Sequence, residues 1–312
     1  MRICLIGPGI MSIPPPGWGA VEILIWDYYE ALKRLGHDVL IVNTPNPNEI
    51  VKLVNNGNFD FVHLHYDVFY YLMPYLKCPL KAMTSHYPYI DTPEKHARDG
   101  YSRIFADMIS TQEYYNFVLA KKDVIALLSR GADPLRIKKI KNGINSSLFK
   151  FDESVLLDRT IYLGKITPRK QQSKYQMIEG IDFVGACDDP SFDITNPNYK
   201  GAWTREQIHN NLTQYSNIIL MSEGEADPLV IKEALCAGLG VVVNRQSAEN
   251  LEPTDFITIV EDNDPNIETK IRENRKISRG KRREIREYGI SKYDIDIEVR
   301  KYIDTILKIK NR

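Results

Sequence analysis

Short apolar runs rich in Val, Ile and Leu alternate along the chain with amphipathic helical patterns, a rhythm that predicts parallel sheets covered on both faces by helices. In the first half the strand-like runs are residues 3–6, 39–42, 61–64, 82–85 and 124–128, each followed by polar residues, Gly or Pro. Between the first two a helix is expected over 20–35, with Gly36 where a left-handed residue can end it. A second series begins after Asp158, with strands expected at 160–163, 181–185, 218–221, 241–243 and 256–259. The halves meet near 142–150, where Asn142-Gly143 reads as a turn and the polar stretch 145–154 as a linker. Residues 294–310 form an amphipathic pattern in which Ile297, Val299, Tyr302, Ile303 and Ile306 are spaced to pack on a neighbour.

Length and composition narrow this picture. A chain of 312 residues usually divides into about two domains. Lys plus Arg (41) equal Asp plus Glu (41), so bulk electrostatic capture of nucleic acid or an anionic membrane is not the default. Cys4, Cys78, Cys187 and Cys236 lack the paired spacing of a structural zinc site and read as reduced thiols of a cytoplasmic protein. Too few apolar residues precede Gly7-Pro8-Gly9 for a signal-peptide core, and no later run is long enough for a membrane span.

Two segments carry candidate chemistry. The first strand runs into Gly7-Pro8-Gly9 and a long loop before Gly19-Ala20-Val21-Glu22 opens a helix. Strand, Gly-rich loop and helix amino terminus together can cradle a phosphate, although the glycines alone would also serve a plain tight turn. A dinucleotide fingerprint is the rival, but its third Gly is Ser12 and the second strand ends at Asn43 instead of an acidic ribose ligand. The second segment runs from Ser222-Glu223-Gly224-Glu225 through Asp227-Pro228-Leu229-Val230 to Glu233, from a strand into a helix. Carboxylates there can accept from sugar hydroxyls, and the helix start can receive a phosphate; a solvated acidic loop beside a helix is the alternative.

The ordered set of these motifs resembles glycosyltransferase family 4. It comprises Gly-x-Gly with Ile13-Pro14-Pro15-Pro16-Gly17-Trp18-Gly19-Ala20-Val21-Glu22, then Gly164-Lys165-Ile166-Thr167-Pro168-Arg169-Lys170, then Glu225 and Glu233. It continues through Ser85-His86, Ile140-Lys141-Asn142-Gly143-Ile144-Asn145, Tyr199-Lys200-Gly201 and Ala237-Gly238, covering nearly the whole chain. The resemblance implies a GT-B fold: α/β, with two Rossmann-like lobes whose parallel sheets face across a cleft. These would be an acceptor-side lobe over 1–150, joined by the terminal helix 294–312, and a donor lobe over 151–293. It also implies a retaining, metal-independent transferase that moves a sugar from a nucleotide-sugar donor, of UDP or GDP type, to a glycan, lipid-linked or other hydroxyl acceptor. No resident cofactor or metal is implied.

Residue by residue, the resemblance assigns backbone N–H groups of Gly19 and Ala20 to the donor diphosphate and Glu22 to orienting their loop. Lys165, where the family usually has Arg, and Lys170 would neutralise the departing diphosphate. Glu225 would hold donor-sugar hydroxyls, Glu233 the ribose, and the helix start at Pro228, Leu229 and Val230 the sugar or phosphate. His86 matches a family histidine near the donor sugar; a structural histidine is its plainer reading. The chain departs from the family at Gln171, which replaces a common Gly, and in the short stretch between Lys170 and the strand at 181.

Other features invite competing readings. His63, His65 and Asp67 could suggest a metal, but period-two spacing suits packing equally, and packing is the expectation. Asp262-x-Asp264 and Asp294-x-Asp296 read as a turn and a helix start. Residues 270–287 hold nine basic and three acidic residues and read as a solvated helical face, with a polyanionic acceptor or a peripheral membrane contact as the sharper alternative. Nucleic acid is not favoured as a partner. A nucleotide-sugar epimerase of the same fold and a nucleotide-sugar binding module without turnover remain functional rivals, and a nicotinamide oxidoreductase ranks last.

Overall fold

The computed structural model describes residues 1–154 and 157–311; Val155 and Leu156 of the expected donor lobe, and Arg312 at the end of the expected terminal helix, lie outside the described residues. The chain divides into two compact units. One comprises Met1–Pro15, Gly19–Gly143 and the chain from Ile295 onward; the other comprises Pro16–Trp18 and Ile144–Asp294.

The first unit is built in chain order from β1 (Arg2–Ile6), α1 (Ala20–Arg34), β2 (Asp38–Val42), α2 (Pro47–Asn56), β3 (Phe61–Leu64), β4 (Lys81–Met83), α3 (Pro93–Arg98), α4 (Ser102–Ser110), β5 (Tyr115–Val118), α5 (Lys121–Ser129) and β6 (Ile137–Lys139). All pairings are parallel, and the sheet order is β2-β1-β3-β4-β5-β6. Local chemistry fixes the start of α2, where Asn46 accepts from the N–H groups of Asn48 and Glu49 and Pro47 stands in the first turn. Cys4 and Ile6 of β1 join a core with Val62, Leu64, Met73, Met83, Phe105 and Val118.

The second unit contains β7 (Thr160–Leu163), β8 (Ile181–Val184), α6 (Arg205–Asn211), β9 (Asn217–Leu220), α7 (Leu229–Cys236), β10 (Gly240–Asn244), β11 (Ile257–Val260), α8 (Ile267–Gly280) and α9 (Arg282–Tyr293). Its parallel sheet has the order β11-β10-β9-β7-β8. The last helix, α10 (Ile295–Lys310), returns to the first unit, where Tyr302 meets Tyr28 of α1 edge-on at 5.0 Å.

In both sheets the strand order reverses once, between β1 and β3 and between β7 and β9. Open parallel sheets bind ligands in the crevice outside the carboxyl ends of the strands at such a reversal. The loops that leave β1, β7 and β9 are the ones carrying Gly7 to Gly19, Gly164 to Lys170 and Ser222 to Leu229.

Four sequence expectations need correction. Residues 124–128 are helical: Leu127 is buried, while Ile125 and Leu128 on the same apolar run are exposed, the mark of a 3.6-residue period. The fifth strand is Tyr115–Val118, disguised by buried Asn116, whose amide donates to the Met108 carbonyl. Asn142-Gly143 forms no turn. The glycine is required because a Cβ there would come 2.9 Å from the Ile295 Cα, so the segment entering the second unit passes close under α10. Residues 144–150 belong with the second unit, where the Ile144 N–H donates to Tyr293 O and the Lys150 N–H to His209 O. Finally, the basic stretch is not one solvated face. Arg282 turns inward, 2% exposed, and donates to the carbonyls of Asp152, Thr213 and Tyr215.

Candidate functional site

Loops at the carboxyl end of the second unit's sheet are stitched together by Arg169. Its Nη1 donates to Ser222 Oγ at 3.0 Å, to the Gly224 carbonyl and to Glu225 Oε1 at 3.1 Å, while its own carbonyl accepts from the Glu223 N–H. Lys170 Nζ stands 3.7 Å from the same Glu225 oxygen. Burial opposes ionisation of Glu225, but the charges of Lys170 and Arg169 together outweigh it and hold the carboxyl below its ordinary range. Below them Tyr162 of β7 accepts from the Met221 N–H and donates to the Lys170 carbonyl, tying the two loops to one strand.

Backbone conformation shapes the same corner. Gly164 has φ +141°, and a Cβ there would stand 3.1 Å from Lys170 Nζ, so glycine leaves room for the lysine to fold over the strand end. Gln171, where the family resemblance has Gly, adopts the left-handed region at φ 57°. The stretch from Pro168 to Tyr175 forms only short 3₁₀ turns, as the spacing to β8 requires. Lys165 forms an ion pair with Asp188 and none with Glu225 among the described residues.

The chain then passes through Asp227, whose carboxylate forms a fully buried ion pair with Lys232 at 2.5 Å, clamping the loop onto α7. Pro228 precedes α7, no side chain caps the helix and its first turn holds no acid, so the N–H groups near Leu229 and Val230 keep their affinity for an anion. Glu233 lies one turn further and is buried. Its Oε1 accepts from Arg205 Nη2 at 2.8 Å, and the same nitrogen is 3.2 Å from His209 Nε2. Burial, and then the Arg205 charge, push the His209 imidazole down to about 4.

In the first unit, Gly19 has φ +122° and sits at the start of α1, its carbonyl accepting from the Ile23 N–H. Ala20 begins the helix, and Glu22 in its first turn is buried, which raises its carboxyl above the usual range. Asn43 braces the Gly-rich loop by accepting from the Gly9 N–H at 2.8 Å and donating to the Met11 carbonyl at 2.7 Å. An acidic ribose ligand is absent from that strand end, in keeping with the low rank of the nicotinamide reading.

His86 follows β4 and is partly buried; its Nε2 is 3.4 Å from His65 Nδ1. His63 engages both ring nitrogens, with the Tyr302 hydroxyl and Thr84 Oγ1, and Asp67 accepts from Ser85 Oγ. His63, His65 and Asp67 are buried, and no group of three or more metal-ligating side chains occurs among the described residues. Asp262 accepts from Asn244 and Gln246, Asp264 from Lys270, and Asp296 from Arg34, so both Asp-x-Asp pairs are engaged by neighbours.

The structure therefore brings Glu225 and Lys170 together and leads from them through Pro228, Leu229 and Val230 to Glu233, while Lys165 pairs elsewhere. Gly19, Ala20, Glu22 and His86 lie in the other unit. Arg169, Arg205 and the Asp227–Lys232 pair were not legible as site residues. Their partners are 56, 28 and 5 positions away, and only the last spacing, near one helical turn, could have hinted at a contact.

No family model matches the sequence, and neither does any curated protein. Solved structures do match in fold. A glycosyltransferase of avilamycin A biosynthesis superposes with a TM-score of 0.76 at 15% identity, covering 99% of this chain and 97% of its own. The sucrose-phosphate synthase of Thermosynechococcus elongatus gives 0.75 at 14% identity, covering 98% and 99%. The Anabaena protein HepE, solved with UDP and glucose, gives 0.74 at 13% identity, covering 99% and 100%. The α/β architecture with two parallel sheets is thus the fold of solved glycosyltransferases. Among the described residues no helix is long and apolar enough to cross a membrane.

Proposed function

We propose that this protein transfers a sugar from a nucleoside-diphosphate donor to a hydroxyl acceptor, with retention at the anomeric carbon and without a divalent metal. The observation that carries the reading is the Glu225 carboxylate held by Arg169 and Lys170 at the carboxyl end of β9, just before the uncapped start of α7. UDP is the favoured nucleotide, because HepE is described with UDP-glucose; GDP stays in the test. The four cysteines are free thiols, in keeping with a cytoplasmic protein.

In this reading Glu225 accepts from donor-sugar hydroxyls, the N–H groups of Leu229 and Val230 receive a phosphate or sugar oxygen, and Glu233 accepts from the ribose. The bond between the anomeric carbon and the diphosphate oxygen breaks with its electron pair leaving on the diphosphate. Lys170 and Arg169 offset the charge that gathers there. The acceptor oxygen bonds the same face of the carbon, and its proton passes to the departing phosphate oxygen. Gly19, Ala20, Glu22 and His86 keep the donor roles that the family resemblance gives them.

The binding module without turnover draws on one observation: Lys165, assigned to the leaving diphosphate, is already paired with Asp188. A thermal-shift panel of UDP- and GDP-sugars against bare nucleotides, followed by assay of donor hydrolysis and transfer, separates the readings. A raised midpoint with slow release of free sugar supports the transferase. Saturable binding with no turnover supports the binding module, and a changed sugar formed without acceptor supports the epimerase.

A further inference from the structure

Three imidazoles meet at the carboxyl ends of β3 and β4, His63 within β3 and His65 and His86 just past the strands. His63 has both ring nitrogens engaged, Nδ1 with the Tyr302 hydroxyl at 2.9 Å and Nε2 with Thr84 Oγ1 at 2.8 Å. His65 packs beside it with ring centroids 3.9 Å apart and is 2% exposed. On its other side His65 lies nearly parallel to His86, the planes inclined by 18°, with its Nδ1 3.4 Å from His86 Nε2. The second nitrogen of His65, Nε2, is enclosed and meets no hydrogen-bond partner among the described residues.

Burial, with His63 and His86 as neighbours, keeps the His65 ring neutral. A neutral imidazole has one N–H and one bare nitrogen, and the hydrogen bond made by one fixes the state of the other. With its proton on Nε2, His65 would hold a buried donor with no acceptor. Orphaned buried N–H groups are rarer in proteins than under-used acceptors. With the proton on Nδ1, the N–H points at His86 Nε2 and only a bare nitrogen is left unmatched. His86 Nε2 is then the acceptor, and the proton of neutral His86 resides on Nδ1.

We propose that His65 is a positioning residue that fixes the Nδ1–H tautomer of His86, so that His86 meets the donor sugar as a hydrogen-bond donor and not as a general base through Nε2. The tautomer follows from the contacts above; its use toward a sugar rests on the proposed function. The arrangement also explains a histidine at position 65, where a leucine would fill the space without leaving a nitrogen unmatched.

The test uses the full chain labelled with 15N-histidine, at about pH 8, above the ordinary histidine range. Long-range 1H–15N spectra, assigned by comparison with His86→Gln, should give a protonated Nδ1 and a bare Nε2 for His86. His65→Asn, whose amide can donate from nearly the same place as Nδ1, should keep that pattern. His65→Leu should move His86 toward the Nε2–H form and lower kcat for transfer by roughly tenfold with donor KM unchanged. A His86 proton found on Nε2 in the unaltered protein overturns the proposal, as does an unchanged spectrum in His65→Leu. Should His65→Leu fail to fold, the unaltered and His65→Asn spectra still decide. If no nucleotide sugar is turned over, the proposed function falls while the tautomer is judged separately; if transfer occurs but His86 carries its proton on Nε2, the reverse holds.

Discussion

Arg205 donates to the Glu233 carboxylate at 2.8 Å, so the side chain assigned to ribose already has a cationic partner from the first turn of α6. Thr204 and Gln207 form a capping box that fixes this start, which aims Arg205 at α7. Removing the guanidinium strands a buried carboxylate. Arg205→Met should cost about 3 kcal/mol in urea unfolding, and the double variant with Glu233→Gln should recover most of it. Equal loss in the single and double variants would mean that the two side chains are not coupled.

Arg282 gives the second expectation. Its donors satisfy three carbonyls, of Asp152, Thr213 and Tyr215, in the second unit, and burial lowers its guanidinium to about 10. Arg282→Met should destabilise by roughly 2 to 3 kcal/mol, since several buried carbonyls lose their donor at once. Lys281→Glu and Arg283→Glu, whose ion pairs are solvent-exposed, should each cost less than about 1 kcal/mol. Acceptor KM should not change in those two variants; a large salt-sensitive rise would point to a polyanionic acceptor.

Asp67 supplies a pH dependence. Burial raises its carboxyl to about 6, against which the Ser85 hydrogen bond works. Between its unfolded value near 4 and about 6 the folded protein binds more protons than the unfolded chain, so this group's contribution falls as pH rises through that window. Asp67→Asn should therefore stabilise the protein at neutral pH by about 2 to 3 kcal/mol and remove that slope. His209 acts in the opposite sense over an overlapping range, because its folded value is depressed. The readout is thus the difference between Asp67→Asn and the unaltered protein; a difference independent of pH would contradict the assignment.

Strands with continuous apolar runs, such as 3–6, 61–64 and 160–163, were legible because both faces of a parallel sheet are buried. β5 was hidden by one buried polar residue, Asn116, and β6 by its two lysines, which suit an edge strand. At the candidate site, Glu225, Lys170 and Glu233 were singled out by the order of motifs. Their cationic partners Arg169 and Arg205 were not, because a charged loop residue declares its partner only when the sheet brings distant segments together.

Metal dependence gives a fourth expectation. If Lys170 and Arg169 offset the charge of the leaving diphosphate, transfer should proceed unchanged in excess EDTA. Activity lost to the chelator and restored by Mg2+ or Mn2+ would require another source of that charge.

The central claim is that Glu225 and Glu233 hold different parts of one donor molecule, and calorimetric titration of two variants with nucleotide and nucleotide sugar tests it most directly. Glu225→Gln should bind the bare nucleotide as before, bind the nucleotide sugar less tightly, and lower turnover by about tenfold to a thousandfold. Glu233→Gln should weaken both ligands alike, because the ribose is common to them. Equal losses for the two ligands in Glu225→Gln, or no loss for either in Glu233→Gln, would contradict the account.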